Sequence, residues 1–60
     1  MTAMNPAPEQ VKAARVASGL TQAQFGAILS AKVRTVQDWE SGARNMPASK
    51  WELWQIKSLA

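Results

Sequence analysis

The feature that most constrains this chain is a helix stop followed at once by a helix start, in the segment SGLTQAQF. Gly19 takes the left-handed conformation that ends a helix at no steric cost. Thr21 then has the form of an N-cap, Gln24 completes a capping box with it, and Leu20 before the cap is available as a hydrophobic staple. Neither the period-2 alternation of strands nor a hairpin signal appears anywhere, so a chain of 60 residues punctuated in this way folds back on itself as short helices. From Thr21 to Ser41 the pattern reads as two short helices joined by a turn around Ser30 and Ala31, an arrangement able to project the second of them outward.

Residues 1–8, MTAMNPAP, carry two prolines and no apolar periodicity, which predicts a loose, flexible N-terminal arm with the first helical turn near Pro8. A single domain over residues 9–60 follows. Its first helix, Glu9 to Ser18, sets Val11, Ala14 and Ser18 on one side with Lys12 and Arg15 beside them. The second, about Gln22 to Leu29, buries Phe25, Ile28 and Leu29; Gly26 inside it costs roughly 1 kcal/mol against Ala, so a close packing contact is expected there. The third, about Val33 to Ser41, gathers Val33, Arg34, Gln37, Asp38 and Ser41 on one arc and Val36 and Trp39 on the other. Its start is less sharply marked, because Lys32 just before it lacks the short oxygen-bearing side chain that caps a helix.

The fourth helix is expected from Pro47, as a first-turn proline, to the chain end. Apolar residues encircle it: Leu53, Ile56 and Ala60 form one stripe, Trp51 and Trp54 another, and Leu59 lies between. Two readings stay open. The tryptophans complete the core, since a large ring is rarely left exposed, or Trp51, Trp54 and Leu59 form a subunit interface, where Trp is enriched among energetic anchors.

Composition narrows the function classes. The chain has no Cys and no His, which removes disulfides, thiol nucleophiles, imidazole bases and the usual zinc ligands. No Ser, Lys or carboxylate stands at a spacing that supplies a nucleophile with a base, so no enzyme, cofactor, metal or small-molecule substrate is expected. A net charge of +3, from seven Lys and Arg against four Asp and Glu, leans toward polyanions. No apolar run approaches the roughly 18 residues of a membrane span, and the N-terminus lacks the pattern of a secretion signal; a cytoplasmic location without membrane contact is the expectation. A domain this small sits near the lower limit of independent stability, so a partner subunit is expected as well.

The polar arc of the third helix has the chemistry of a helix lying in a DNA major groove. Arg34 suits a bidentate pair with guanine O6 and N7, Gln37 suits adenine or a phosphate, and Val33 suits a thymine methyl. Asp38 has two roles open to it: accepting from a cytosine amino group, or holding the guanidinium of Arg34 four residues back. Beside this stands the plainer reading of a solvated helix face.

The segment GLTQAQFGAILSAKVRTVQDWESG resembles the helix-turn-helix core of lambdoid phage repressors and of the Cro and XRE-type regulators, antitoxin autorepressors among them. The likeness covers roughly residues 9–47 and rests on Leu20-Thr21-Gln22, Phe25-Gly26, Thr35-Val36, Trp39-Glu40, Gly42, Arg44 and Pro47 together. It implies an all-α fold, a compact four-helix bundle of the lambda-repressor-like helix-turn-helix type with a short N-terminal arm. It places Val33, Arg34 and Asp38 at base-reading positions, Gln22 at the phosphate-contacting start of the second helix, and Lys32, Arg44 and Asn45 at flanking DNA-backbone contacts; Gln37 joins the base-contacting set from its place on the polar arc, and Thr35 and Lys50 are expected at the DNA backbone beside the others. It also pairs Arg15 with Glu40 as a structural tie. The implied function is sequence-specific binding of a double-stranded DNA operator with an inverted repeat, by a homodimeric repressor of a phage, toxin-antitoxin or anti-CRISPR operon. With no further helix after the fourth, dimerisation is expected through that helix, the loop before it or the arm. The rival classes are a nonspecific nucleic-acid binder and an antitoxin-type module whose protein partner docks on the Trp51 and Trp54 face.

Overall fold

The computed structural model describes residues 5–59; most of the expected arm, and Ala60 of the Leu53 stripe, lie outside them. Four helices follow in order: α1 (Pro8–Ala17), α2 (Gln22–Ile28), α3 (Val33–Ser41) and α4 (Ala48–Ser58). Among the described residues there is no strand, so the chain is all-helical.

Each helix end has a local cause. Pro8 opens α1 with its ring already at a helical φ. Ala7 before it has no side-chain acceptor, and Gln10 folds back so that its Oε1 accepts from the Ala7 N–H at 2.7 Å. α1 ends in a Schellman motif: the Gly19 N–H donates to Val16 O, the Leu20 N–H donates to Arg15 O, and Gly19 sits at φ 71°. The capping box at α2 closes in both directions, Thr21 Oγ1 accepting from the Gln24 N–H at 3.1 Å and Gln24 Oε1 from the Thr21 N–H at 2.9 Å.

The turn after α2 repeats the Schellman pattern without a glycine. The Ala31 N–H donates to Gly26 O at 2.8 Å and the Ser30 N–H to Ala27 O, with Ser30 held at φ 55°. Lys32 caps α3 through its backbone alone, and Gly42 at φ 88° ends that helix. Pro47 is the N-cap of α4 rather than its first residue, one position short of the expected start.

The core consists of Val11, Phe25, Leu29, Val36, Trp39, Met46 and Trp54. α3 packs against both α1 and α2, and Gly26 makes that approach possible, since a Cβ there would lie 3.2 Å from Val36 Cγ2 and closer still to the Ala31 carbonyl. α4 is set by Trp54, whose ring tilts 52° against Phe25 with centroids 4.7 Å apart. Trp54 is 7% exposed. It belongs to the core, the first of the two readings of this residue, with little of its surface left exposed. Trp51 is half-buried against the same core, and Leu59 is 87% exposed.

α4 is tied to α2 by charge as well. Lys50 Nζ donates to Leu29 O at 2.7 Å and Lys57 Nζ to Ile28 O at 3.1 Å, so two ammonium groups meet the carbonyls that the last turn of α2 leaves unpaired. No helix of the described residues is long and apolar enough to cross a membrane.

Candidate nucleic-acid interface

The outward face of α3 follows from what its inner face buries. With Val36 and Trp39 in the core, Val33, Arg34 and Gln37 are turned to solvent. The Arg34 side chain is 82% exposed, whereas Asp38 beside it is only 19% exposed. One oxygen of Asp38 accepts from Arg34 Nε at 3.3 Å, and the other lies 3.6 Å from Arg44 Nε. Of the two roles open to Asp38, the geometry brings out the second: it rests between two guanidinium groups, and its backbone carbonyl accepts from the N–H groups of Gly42 and Arg44. The Arg44 contact was not legible in the spacing, because it depends on the chain reversing at Gly42.

Behind this face lies the anchor of α3. Arg15 of α1 donates from Nε to Glu40 Oε2 at 2.6 Å and from a terminal nitrogen to Glu40 Oε1 at 3.1 Å, while its other terminal nitrogen donates to Leu20 O at 3.0 Å. The Glu40 side chain is 6% exposed. Burial pushes its carboxyl up, but hydrogen bonds from Arg15 and Gln22 and the charges of Arg15 and Lys12 together pull it down further, leaving it below its ordinary value. The bond to Glu40 raises Arg15 in turn, against the opposing effect of burial and with help from the carboxylate charge.

Gln22 is drawn into this pair. Its Nε2 donates to Glu40 Oε1 at 3.2 Å, and its Oε1 accepts from Gln37 Nε2 at 3.4 Å. The residue expected at the DNA backbone thus links the buried anchor to the outer face.

Beside the start of α3 the surface forms a concavity of about 490 Å³, walled by Lys32, Thr35, Arg44, Asn45 and Lys50 with Trp39 among its lining. Five of the six residues expected at the DNA backbone are therefore neighbours, and Gln22 is the one that stands apart. Lys50 reaches the concavity with its ammonium already bonded to Leu29 O, so its first role is that of a helix cap. Lys57 has the same role and was not singled out, since its partner is 29 residues away and no local pattern signals it.

Among the described residues no group of His, Cys, Asp or Glu is disposed to hold a metal ion. The arrangement sets an exposed guanidinium, an exposed amide and the partly exposed Val33 on the outer face of α3, with Lys32 and Arg44 beside it. Compared with known proteins, the chain matches no protein-family model and no curated protein.

Proposed function

We infer that this chain is a sequence-specific double-stranded DNA-binding regulator, a dimeric repressor that lays α3 in the major groove. The observation that carries the reading is the outer face of α3, where Val33, Arg34 and Gln37 are exposed together on a helix whose other side is locked into the core. α2, the turn and α3 then act as a helix-turn-helix of the lambda-repressor-like type. Arg34 leaves Asp38 to pair with guanine, and Lys32, Thr35, Arg44 and Asn45 hold phosphates from the walls of their shared concavity. A small autorepressor of a phage, toxin-antitoxin or anti-CRISPR operon, acting in the cytoplasm, is the setting that the resemblance of residues 9–47 favours.

A homodimer on this plan reads an inverted repeat with half-site centres about 34 Å apart. Ile56 and Leu59, at 67% and 87% exposed, put apolar surface on α4 for a second copy. The same surface favours the second reading, a module that docks a protein partner on α4, although the burial of Trp54 removes one of its anchors.

The test is selection from a random DNA library at two salt concentrations, read by sequencing. An enriched inverted repeat that survives the higher salt supports the regulator, and Arg34→Ala should then cost about 1–3 kcal/mol per contact and relax one base pair per half-site. Weak enrichment that vanishes with salt overturns it in favour of nonspecific binding or a protein partner.

A further inference from the structure

We propose that Gln22 is a positioning residue that fixes which edge of the Gln37 amide faces a base, and that Gln37 so held selects adenine. The proposal rests on the DNA-binding reading above and adds the base it reads and the residue that decides it.

The argument is one of polarity. A guanidinium has only donors, and Arg15 directs two of its nitrogens at the two oxygens of Glu40. An ionised carboxylate has only acceptors, so the next group to approach Glu40 Oε1 must bring a donor. Gln22 does, with Nε2 at 3.2 Å. Rotating that amide by half a turn would set its carbonyl against the carboxylate, so the Gln22 amide has one orientation and its Oε1 must face away from Glu40. That oxygen meets Gln37, which must also present nitrogen, and Nε2 lies 3.4 Å from it. The direction of every donor from Arg15 to Gln37 is therefore set at the buried end, where Glu40 is fixed from two sides.

The consequence reaches the surface. With one N–H of Gln37 directed at Gln22, its carbonyl oxygen and second N–H remain for a ligand; among the described residues that carbonyl has no hydrogen-bond partner. In the major groove an acceptor beside a donor matches adenine, which offers its N6 amino group and its N7. Guanine and thymine present acceptors there that can take the free N–H but give the carbonyl no donor, so adenine is the base that satisfies both groups at once. A Gln37 free of the relay can turn its amide over and loses this discrimination.

The experiment is the library selection repeated with Gln37→Ala and Gln22→Leu, whose folding is verified by circular dichroism and thermal melting. Gln37→Ala is expected to reduce an adenine preference at one base pair per half-site from about tenfold or more to under about twofold. Gln22→Leu is expected to erase the preference at the same base pair while the guanine read by Arg34 stays. If Gln22→Leu instead weakens all sequences alike and keeps the adenine preference, Gln22 is only a phosphate contact or a structural prop, and the proposal falls while the regulator reading stands. A wild-type protein that enriches no sequence overturns the regulator reading itself, and base selection by Gln37 with it. In that case the side-chain amide resonances of Gln37 still report on the orienting bond: a shift in the Gln22→Leu variant retains the relay as structure, and no shift removes the relay too.

Discussion

Replacing Gly26 with Ala tests how α2 presents α3. In a helix interior this change ordinarily stabilises by about 1 kcal/mol, and Gly26 is not among the residues of positive φ, so its backbone conformation gives no reason against it. Packing does. The added Cβ would fall well inside contact distance of the Ala31 carbonyl oxygen and 3.2 Å from Val36 Cγ2. The Ala31 oxygen has little room to retreat, because the N–H of the same residue is bonded to Gly26 O at 2.8 Å and clasps the turn to the helix. Overpacking of this kind costs about 1–3 kcal/mol, and straining the clasp adds about 1 kcal/mol. Against the propensity gain, the net expectation is a loss of about 1–3 kcal/mol. A chain of this size holds only about 3–9 kcal/mol in all, and each kcal/mol moves Tm by about 4–8 °C. Thermal melting should therefore show Tm falling by about 10 °C. Gly19→Ala is the control, since Gly19 lies at φ 71° with nothing within 4 Å of a Cβ and should lose only about 1–2 kcal/mol to the left-handed conformation. A Gly26→Ala protein that melts at or above the wild-type temperature would refute the close-approach argument.

Four further outcomes are expected. Ser30→Gly should raise stability by about 0.5–1 kcal/mol in denaturant titration, because Ser30 holds the left-handed position of the turn at φ 55°; an unchanged or lower midpoint would count against strain there. Asp38→Asn releases Arg34 and Arg44, so affinity for nonspecific DNA should rise about twofold or more while the ratio of specific to nonspecific binding falls, as competition assays would show. Glu40 is held below its ordinary value of 4.5, so its stabilisation is fully present above about pH 4.5 and is lost as pH falls through the lower folded value; a Glu40→Gln protein with the same acid-side slope in denaturant midpoints would remove that assignment. If the chain binds DNA as proposed, with Lys50 kept as a cap and Lys32 and Arg44 on phosphates, a dimer should show a salt slope of about −4; a Lys50→Met protein whose slope shrinks by about 2 would return Lys50 to the DNA.

What the sequence made legible is what its near neighbours decide. Gly19, Thr21 and Gln24 act on partners within a few residues, and the helix stop, the cap and the box all stand where the pattern placed them. The inward turn of Val36 and Trp39 followed from period alone. The Arg15–Glu40 pair spans 25 residues and came from the family resemblance, with no local pattern to announce it. Trp51 and Trp54 were indistinguishable because apolar residues circle α4, and the rotation that buries one of them is set by Phe25 on another helix. Met46 was missed for a related reason, being a lone apolar residue in a loop without periodicity. Lys50 and Lys57 look like surface charges in sequence and become caps only when α4 crosses the end of α2.

That last pair alters what the net charge means. Of the seven Lys and Arg behind the value of +3, Arg15, Lys50 and Lys57 are engaged in joining helices. Arg34 and Arg44 share one carboxylate at the rim of α3. A diffuse pull on any polyanion is thus a poor description of this surface, because much of its positive charge is already placed against an acceptor. The arginines that remain at α3 are held by weak, exposed bonds of the kind worth well under about 1 kcal/mol each, and they can exchange Asp38 for a stronger acceptor at little cost. Glu40 works the other way: its buried bonds to Arg15 hold α3 firmly while leaving Gln22 and Gln37 one direction in which to donate. α3 and the turn that follows it therefore present one amide tied through Gln22 to a carboxylate that is 6% exposed and two releasable guanidinium groups on one that is 19% exposed, and the difference between them lies in how deeply each carboxylate is buried.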